Sequence, residues 1–415
     1  MIGLFLFTIG LSAVLTFLAR LAGNRAGLLD IPDDGRKQHE TAVPALGGIA
    51  VFSAFAIALG IRCFTNAELS GLLSETTAAL LLTAAGIWIL GIVDDIWPVR
   101  AKAKLVIQII ASVAYVATVQ PIDVLHLANG FEISSEFIVG IFCVFWLVAC
   151  CNAVNLLDGM DGMASLQGML GFTTLAIIAT LHGDGTTTSV CLLLVASVFG
   201  FAIFNAPPAS IFLGDAGSMT IGYLLGALTL STCHMTDGRY GLAVPLAIMI
   251  IPAFDTTMAI IRRAQKGKGI MAPDREHFHH QLYDARQSVW KVLGVFTLMY
   301  GLCAASAIAG VWNSSGIIAS LACGVVLVTC VVTRTFGHNE LTFLAQRFMG
   351  KFASIIPGNA VSKLVPSSES QAASQPDLSG QNEPAVISIS SAATVFEDDS
   401  VDEMSDEDSG IRRAA

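Results

Sequence analysis

The chain has 415 residues, of which 54% are hydrophobic and only 13% charged, and its mean hydropathy is +0.69. This composition is far too apolar for an ordinary water-soluble domain. The net charge is −10, and no nucleic-acid partner is expected. The sequence predicts an all-α integral membrane protein.

Apolar runs of roughly 17 to 22 residues recur, each long enough to cross a hydrocarbon core of about 30 Å as a helix. About eleven such spans are predicted, which gives a polytopic bundle. The fourth and seventh are the weakest, because small residues dilute their signal and a re-entrant hairpin can imitate two spans. The predicted spans are 2–22, 46–65, 75–93, 104–120, 135–152, 163–182, 189–205, 217–234, 241–261, 291–309 and 315–333.

The Lys and Arg residues of the short loops set the orientation, because loops rich in them stay in the cytoplasm. With eleven spans most of these residues fall on one side, and only Arg62 and Arg239 fall on the other. The sequence therefore predicts an outside N-terminus and a cytoplasmic C-terminus. It also predicts that the polar motifs lie in cytoplasmic loops, which would make these loops the catalytic ones.

The first polar motif ends the third span, where Asp94 and Asp95 are followed by Lys104. Adjacent carboxylates on a helix point about 100° apart, so two different tasks are more natural than joint binding of one ion. One could approach a metal or a lipid phosphate while the other binds a lysine. The alternative is a helix end that faces water beside neutralising lysines.

The second motif, NAVNLLDGMDG, follows the fifth span. Its glycines are expected to end the helix, so that amide and carboxylate oxygens gather where backbone N–H groups also become free. Such a cluster suits a hard cation and an anionic ligand. The alternative is a capped loop. The polar residues recur at every third position and are Asn152, Asn155, Asp158 and Asp161.

The third motif, FLGDAGS, places Asp215 between Gly214 and Gly217, just before the eighth span. Small neighbours let a ligand approach the backbone, and the N-terminus of the following helix favours a negative charge such as phosphate. A tight turn whose aspartate caps the helix is the alternative.

The longest internal polar loop, from Arg262 to Lys291, contains PDREHFHH. Its histidines lack the cysteines and the HExxH spacing of a zinc site, so contact with an anion is favoured. The basic residues of the loop supply charge-assisted donors that suit a nucleotide diphosphate, although they are also explained by topology alone. The candidate binding residues are Arg263, Arg275, His277, His279 and His280.

The chain is predicted to divide into a membrane-embedded domain, residues 1–335, and a cytoplasmic tail, residues 336–415. From about residue 364 the tail is rich in Ser, Ala, Pro and Gln and carries eleven acidic residues against two arginines. Such a segment cannot bury enough apolar surface to fold, so we expect disorder without chemistry. Regulation or partner binding is the alternative.

Five motifs in order make residues 1 to about 335 resemble the polyprenyl-phosphate N-acetylhexosamine-1-phosphate transferases. The last of them, PDR followed by HxHH, is similar to the WecA and TagO branch more than to MraY. The five motifs are RKQHETAVPALGG, DDIWPVRAKAKLVIQ, NAVNLLDGMDG, FLGDAGS and PDREHFHH.

The resemblance implies that undecaprenyl phosphate attacks the β-phosphorus of a UDP-N-acetyl sugar, giving a lipid-linked sugar diphosphate and UMP. It implies a requirement for Mg²⁺, with Mn²⁺ as an alternative ion, and a place in the inner membrane of a bacterium, where the product starts a cell-surface glycan. The branch favours N-acetylglucosamine. Other N-acetyl or deoxy amino sugars stay open, as does a homodimer.

The resemblance also implies roles for single residues in the second and third motifs. Asp215 and Asn155 would contact the ion. Asp158 and Asp161 would lie in the nucleotide-sugar site, and Asn152 would bind substrate there.

Asp94 or Asp95 would serve the lipid phosphate by the same resemblance, with Lys104 beside it, and the histidine motif with Arg263 or Arg275 would touch the diphosphate. The RKQH sequence has no assigned role. A phosphate monoester has a second pKa near 6 and is largely a dianion at pH 7, so a strong base is optional. A base at Asp94, or an Asp94 that shapes the site and orients Lys104, explains the motif equally well.

Two other classes of protein share single features with this chain. A cation-coupled transporter also carries intramembrane carboxylates, but it places them near the middle of the bilayer and often shows two related halves. A CDP-alcohol phosphotransferase also uses a DG-containing helix and a metal, but its DGxxAR signature is not matched by DGMDGMAS.

Overall fold

The computed structural model describes residues 1–30, 42–65, 75–126, 132–235, 242–267, 269, 277, 281–283, 288–313, 316–333 and 336–355. These residues form twelve helices and two short antiparallel strand pairs. The helices are α1 Ile2–Ala26, α2 Gly47–Thr65, α3 Glu75–Ile96, α4 Ala101–Val119, α5 Glu136–Leu157, α6 Met163–Leu181, α7 Gly185–Asn205, α8 Gly214–Met235, α9 Ala243–Gln265, α10 Val289–Trp312, α11 Gly316–Val332 and α12 His338–Ile355. The strands are β1 Leu29–Asp30, paired with β2 Val43–Pro44, and β3 Leu125–His126, paired with β4 Glu132–Ile133.

A helix stands at each of the eleven predicted spans, and the all-α polytopic membrane fold is confirmed. Among the described residues, nine helices are long and apolar enough to cross a membrane, and α8 and α11 are not counted with them. The two weakest predicted spans, the fourth and the seventh, are continuous helices of 19 and 21 residues. The count of eleven crossings and their orientation stay predictions.

Helix α8 lies in the middle of the bundle and packs against α2, α3, α5, α6 and α9. Its side chains from Ala216 to Leu230 are all buried. In contrast, α1 and α4 expose most of their large apolar side chains, as lipid-facing helices do. The first turn of α8, which carries Asp215, is therefore surrounded by other helices.

Glycines bring two neighbouring helices onto the backbone of α8. A Cβ on Gly48 of α2 would lie 2.1 Å from the backbone nitrogen of Gly217, and a Cβ on Gly91 of α3 would lie 2.3 Å from the Cα of Ala216. Small residues at a helix interface allow this close approach inside a membrane. The start of α8 is consequently fixed between α2 and α3.

The chain separates into two units, Met1–Gly350 and Lys351–Ala415. The predicted boundary at residue 335 stays a prediction. In the first unit, Phe336 and Glu340 beyond that boundary are only 1% and 3% exposed. The predicted acidic tail lies outside the described residues.

Candidate active site

The carboxylate of Asp95 caps the N-terminus of α8. Its Oδ1 accepts a hydrogen bond from the backbone N–H of Asp215 at 2.7 Å, and its Oδ2 accepts one from the N–H of Ala216 at 3.0 Å. The first N–H groups of a helix lack partners within the helix, and a carboxylate there also interacts favourably with the helix dipole. Asp95 supplies negative charge at this helix end, and the predicted contact of the same end with a phosphate stays a prediction.

Gly214, the first residue of α8, is restricted to glycine in two ways. Its φ of +73° lies in the left-handed region, which residues with a Cβ rarely adopt. A Cβ would also lie 2.4 Å from the carbonyl oxygen of Ala45 and 2.7 Å from Asp95 Oδ2. The absence of a side chain at position 214 therefore lets Asp95 reach the backbone of α8.

Lys104 joins two of the predicted site carboxylates. Its Nζ donates to Asp94 Oδ2 and to Asp215 Oδ2, the second contact at 2.7 Å. The backbone N–H of Val99 also donates to Asp94 Oδ1, at 2.6 Å. Helix α3 ends shortly before Pro98 because proline disfavours helical backbone in the preceding residue. Asp94 thus binds the lysine and Asp95 binds backbone N–H groups, and the predicted contact of one of them with a metal or a lipid phosphate stays a prediction.

Asn155 connects α5 to the start of α8. Its Nδ2 donates to Asp215 Oδ1 at 3.0 Å and to Ser218 Oγ at 3.1 Å. Both bonds use the amide nitrogen, so the amide oxygen is left for a ligand. The predicted neighbourhood of Asn155 and Asp215 is confirmed, and their role as metal ligands stays a prediction.

The two aspartates of the turn after α5, Asp158 and Asp161, differ in their hydrogen bonds. Asp161 Oδ2 accepts a hydrogen bond from the backbone N–H of Ala209 at 2.9 Å. The turn is fixed further by Asn205, whose Oδ1 accepts from the backbone N–H of Gly162 at 3.1 Å. Asp158, the residue after α5, accepts no hydrogen bond within the described part of the chain. The carboxylate of Asp158 is thus the one most open to a ligand.

A cavity of 1080 Å³ collects five of the predicted site residues, while Asp94 and Lys104 are not in its lining. The lining also includes residues of the β1–β2 strand pair, Pro207 to Ala209, and Val289 and Trp290 at the start of α10. Such a volume exceeds that of most small-molecule sites and suits a large ligand. The motif residues that line the cavity are Asp95, Asn155, Asp158, Asp161 and Asp215.

The pKa of the Asp158 carboxyl is raised well above its usual value. Loss of hydration is the main cause, and the negative charges of Asp215, Asp95 and Asp161 add to it. The ionised form is thus destabilised until a cation compensates for it. A cation that binds beside Asp158 would therefore stabilise the ionised carboxylate.

Asn152 lies outside this cavity as far as the described residues define it. Its Nδ2 donates to Gln108 Oε1 of α4 at 2.7 Å and to the carbonyl oxygen of Val148 at 2.7 Å. Gln108 is only 1% exposed. Here Asn152 links α5 to α4, and the predicted contact with substrate is not seen in the cavity lining.

The two described candidate residues of the histidine loop, Arg263 and His277, are buried and do not line the cavity. Arg263 and His277 are 8% and 6% exposed, and Nδ1 of His277 lies 3.2 Å from Oδ2 of Asp255 in α9. Neither residue is among the described residues that line the cavity. Arg275, His279 and His280 lie outside the described residues.

Three residues that contact the predicted site residues or the turns that carry them were not identified from the sequence. Asp255 had a usable signal, because an ionisable residue within an apolar span is rare and marks a function or a partner. Gln108 offered the same signal more weakly. Asn205 precedes Pro207 and resembles an ordinary turn residue, so no local pattern reveals that it supports the turn at Gly162.

Oxygen donors dominate this site, as a hard divalent cation requires. The described residues contain no ready cluster of three His, Cys, Asp or Glu ligands. One reason is that Asp95 is turned to backbone N–H groups while Lys104 binds Asp94 and Asp215. The Asp158 carboxylate and the Asn155 amide oxygen make no hydrogen bond to the described residues, so the chemistry of these oxygen donors beside Asp215 is compatible with a divalent ion.

Comparison with known proteins points to one family. The model of glycosyl transferase family 4 matches residues 77–233, a range that includes the Asp94, Asn155 and Asp215 motifs. The histidine motif lies beyond the matched range.

Curated relatives carry names of one kind. A probable undecaprenyl-phosphate N-acetylglucosaminyl 1-phosphate transferase of Bacillus subtilis (strain 168) is 34% identical over 273 residues, which is 65% of this chain and 73% of the relative. The decaprenyl-phosphate N-acetylglucosaminephosphotransferase of Mycolicibacterium smegmatis is 29% identical, over 78% and 86% of the two chains. The undecaprenyl-phosphate alpha-N-acetylglucosaminyl 1-phosphate transferase of Escherichia coli (strain K12) is 28% identical, over 73% and 81%.

Proposed function

This chain belongs to glycosyl transferase family 4, together with the polyprenyl-phosphate N-acetylglucosamine 1-phosphate transferases that it matches, and on that premise we propose its reaction. It transfers N-acetylglucosamine 1-phosphate from UDP-N-acetylglucosamine to undecaprenyl phosphate and releases UMP. The protein is a transferase and not a transporter. Another UDP-N-acetyl sugar is the second candidate for the donor, because the relatives' names fix the family more firmly than the sugar.

The observation that carries this proposal is the convergence of three separate segments on one cavity. The end of α3, the end of α5 and the start of α8 bring Asp95, Asp158 and Asp215 together there. Transfer between two phosphates concentrates negative charge, so catalysis depends mainly on positioning and on electrostatic stabilisation. A pre-formed site with Lys104 and several oxygen donors supports that chemistry.

A divalent cation, Mg²⁺ by preference, completes the proposed site. Asp215 and Asn155 would hold it, with the Asp158 carboxylate available beside them, and it would neutralise charge on the diphosphate of the donor. Asp161, which is tied to the backbone at Ala209, would shape the nucleotide-sugar side of the cavity.

Lys104 is the proposed partner of the lipid phosphate. Its ammonium group donates to Asp94 and Asp215 and is one-quarter exposed, so a third negative group can approach it. Asp94 fixes the lysine, since it is itself held by the N–H of Val99 and is only 9% exposed. The phosphate of the acceptor is largely a dianion at pH 7, so it attacks without a strong base.

The proposed setting is the inner membrane of a bacterium, with the N-terminus outside and the cavity open to the cytoplasm. The charge bias of the loops supports this orientation. UDP-sugars are cytoplasmic and the lipid phosphate lies at the membrane surface, so the end of the helices is the right depth for both. Assembly as a homodimer stays open.

A panel of donors tests the proposed reaction. Purified protein is incubated with undecaprenyl phosphate, Mg²⁺ and one UDP-sugar at a time, and the lipid product is identified by mass. We expect UMP release and a lipid product with UDP-N-acetylglucosamine. A product formed only with another UDP-N-acetyl sugar would select the second candidate, and the absence of UMP with every donor would remove the proposal.

A further inference from the structure

Helix α9 carries three buried charged side chains, Asp255, Arg262 and Arg263, and the first two lie on one face. Asp255 and Arg262 are 1% and 2% exposed, and they lie seven residues apart, which is about two helical turns. Charged side chains within a membrane helix are expensive unless they meet a partner. Each of these two charges meets a residue from a later segment of the chain.

The partner of Asp255 is His277, the first histidine of PDREHFHH. The Nδ1 of His277 lies 3.2 Å from Asp255 Oδ2, and the side chains are 7% and 2% exposed. A carboxylate on one ring nitrogen fixes the tautomer and the orientation of an imidazole. An imidazole enclosed in this way, and not found in the described lining of the cavity, is poorly placed to touch a soluble diphosphate.

Arg262 shows the same arrangement with a different segment. Its Nη1 donates to Oε1 of Glu340 in α12 at 2.8 Å, and its guanidinium lies 5.8 Å from the centre of the Phe336 ring. This second pair lies on the same helix face and is equally buried. It therefore provides an internal control for any effect of breaking an ion pair on α9.

We propose that Asp255 is a positioning residue whose contact with His277 anchors the chain that follows α9. The inference rests on the proposed transferase function and assigns His277 to support instead of to contact with the diphosphate. Twelve residues after His277 the chain reaches Val289 and Trp290, which line the cavity. The anchor would therefore help to set the position of these two lining residues.

A double-mutant cycle, together with a variant in which the two residues are exchanged, tests the anchor. The variants are Asp255→Asn, His277→Asn, the double Asp255→Asn/His277→Asn, and the exchanged pair Asp255→His/His277→Asp, all assayed by UMP release. A small displacement of a binding group costs up to about 10²-fold in rate, so we expect each single variant to lower kcat/KM for the UDP-sugar by about 10- to 100-fold, mostly through KM. The double variant should be no worse than either single one, and the exchanged pair should recover part of the loss.

Glu340→Gln is the matched control. It breaks the Arg262 pair on the same face and should lower the midpoint of thermal unfolding while KM for the UDP-sugar stays unchanged. A loss of activity confined to His277→Asn, with Asp255→Asn close to wild type, would overturn the anchor in favour of direct contact with substrate. A change in unfolding without any change in KM for Asp255→Asn would also overturn it.

The outcome can be separated from failure of the proposed function. If the wild-type protein releases no UMP with any donor, the transferase proposal fails. The thermal unfolding midpoints of the same variants still report whether Asp255 and His277 are coupled. Additive shifts of these midpoints would overturn the pair itself, and shifts that are less than additive would support it.

Discussion

Charged side chains occur in the membrane helices of this protein in two regions with different arrangements. At the start of α8 the carboxylates of Asp94, Asp95, Asp158 and Asp215 lie together. Among the described residues, Lys104 is the one cation whose bonds to them are seen. Negative charge is thus in excess beside an open cavity. An excess of negative charge attracts cations. This property is required of a site that binds both a metal ion and the side chain of Lys104.

On α9 two buried charged side chains each have a buried partner. Asp255 contacts His277 and Arg262 binds Glu340, and all four side chains are almost fully buried. A buried charge with a partner attracts a ligand less strongly, and removal of the partner is costly because it leaves an uncompensated charge. The comparison teaches that a cluster with more carboxylates than cations indicates the catalytic site. The presence of a charged residue in a membrane span is by itself a weaker indication.

The largest expected effect comes from removing a charge at the unbalanced site. Asp215→Asn should lower kcat/KM by about 10³-fold or more, since it weakens both cation binding and the contact with Lys104. Release of UMP at saturating Mg²⁺ measures the change. Asp184→Asn is the control, because Asp184 caps α7 through Thr186 and Thr187 and should retain activity. An Asp215→Asn enzyme within about tenfold of wild type would place this residue outside the chemistry.

Removal of the cation should have the next largest effect. Lys104→Gln leaves Asp94 and Asp215 to repel each other and the lipid phosphate, so we expect kcat/KM for the acceptor to fall by about 10²-fold. Lys102→Gln alters an exposed lysine of the same helix and serves as the control. Equal losses in the two variants would show that the general positive charge of this helix end matters more than the Lys104 contacts.

The role of Asp94 is distinguished by the dependence of its effect on pH. If Asp94 fixes Lys104, Asp94→Asn should lose about 10- to 100-fold in kcat at both pH 6 and pH 9. If Asp94 is a general base, the variant should be inactive at pH 6 and recover at pH 9. Rates of UMP release at the two values, relative to wild type at the same pH, decide between these roles.

Asp158 should show a trade between stability and activity. Its raised pKa means that ionisation of this carboxyl group costs more free energy in the folded state than in the unfolded state. Asp158→Asn should therefore raise the unfolding midpoint at neutral pH, measured with a chelator present, while UMP release falls. The gain should grow as the pH rises above the ordinary value of 3.8 and vanish below it, because there the group is protonated in both states. A midpoint that drops in the variant would contradict the unbalanced charge.

Gly214→Ala should give the smallest loss of activity of this series. Its φ of +73° and its crowding by Asp95 predict a cost of about 1–3 kcal/mol in the free energy of unfolding. Gly183→Ala is the matched control, because Gly183 has the same φ of +73° but no atom within 4 Å of the added Cβ. Denaturation of both variants in detergent measures the difference, and equal costs would mean that the contact with Asp95 is unimportant.

The sequence was sufficient to predict eleven of the twelve described helices and the polar clusters, whereas α12 lies in the segment that was predicted to be a tail. Apolar length fixes a membrane helix with little help from its neighbours, and polar groups at the ends of spans are conspicuous. Lys104 was also placed correctly, since it lies only ten residues from Asp94 and one turn into the next helix. These features depend on local patterns.

The partners that join distant segments could not be predicted in the same way. Asp95 binds backbone N–H groups 120 residues away, and any residue type can supply such a group. Asn152 pairs with Gln108, which ends the DDIWPVRAKAKLVIQ motif and had been given no role of its own. His277 resembled an anion ligand because of its neighbours, whereas its structural partner, Asp255, lies 22 residues earlier.

The close packing of glycines around the first turn of α8 also has a practical consequence for enzyme engineering. Gly48, Gly91 and Gly217 leave no room for new side chains where α2 and α3 pack on α8, so a library aimed at these contacts should return mostly unfolded protein. Trp290 lines the cavity and is 61% exposed, so a substitution there should disturb the packing less. Attempts to retune which sugar nucleotide is accepted should begin at that position.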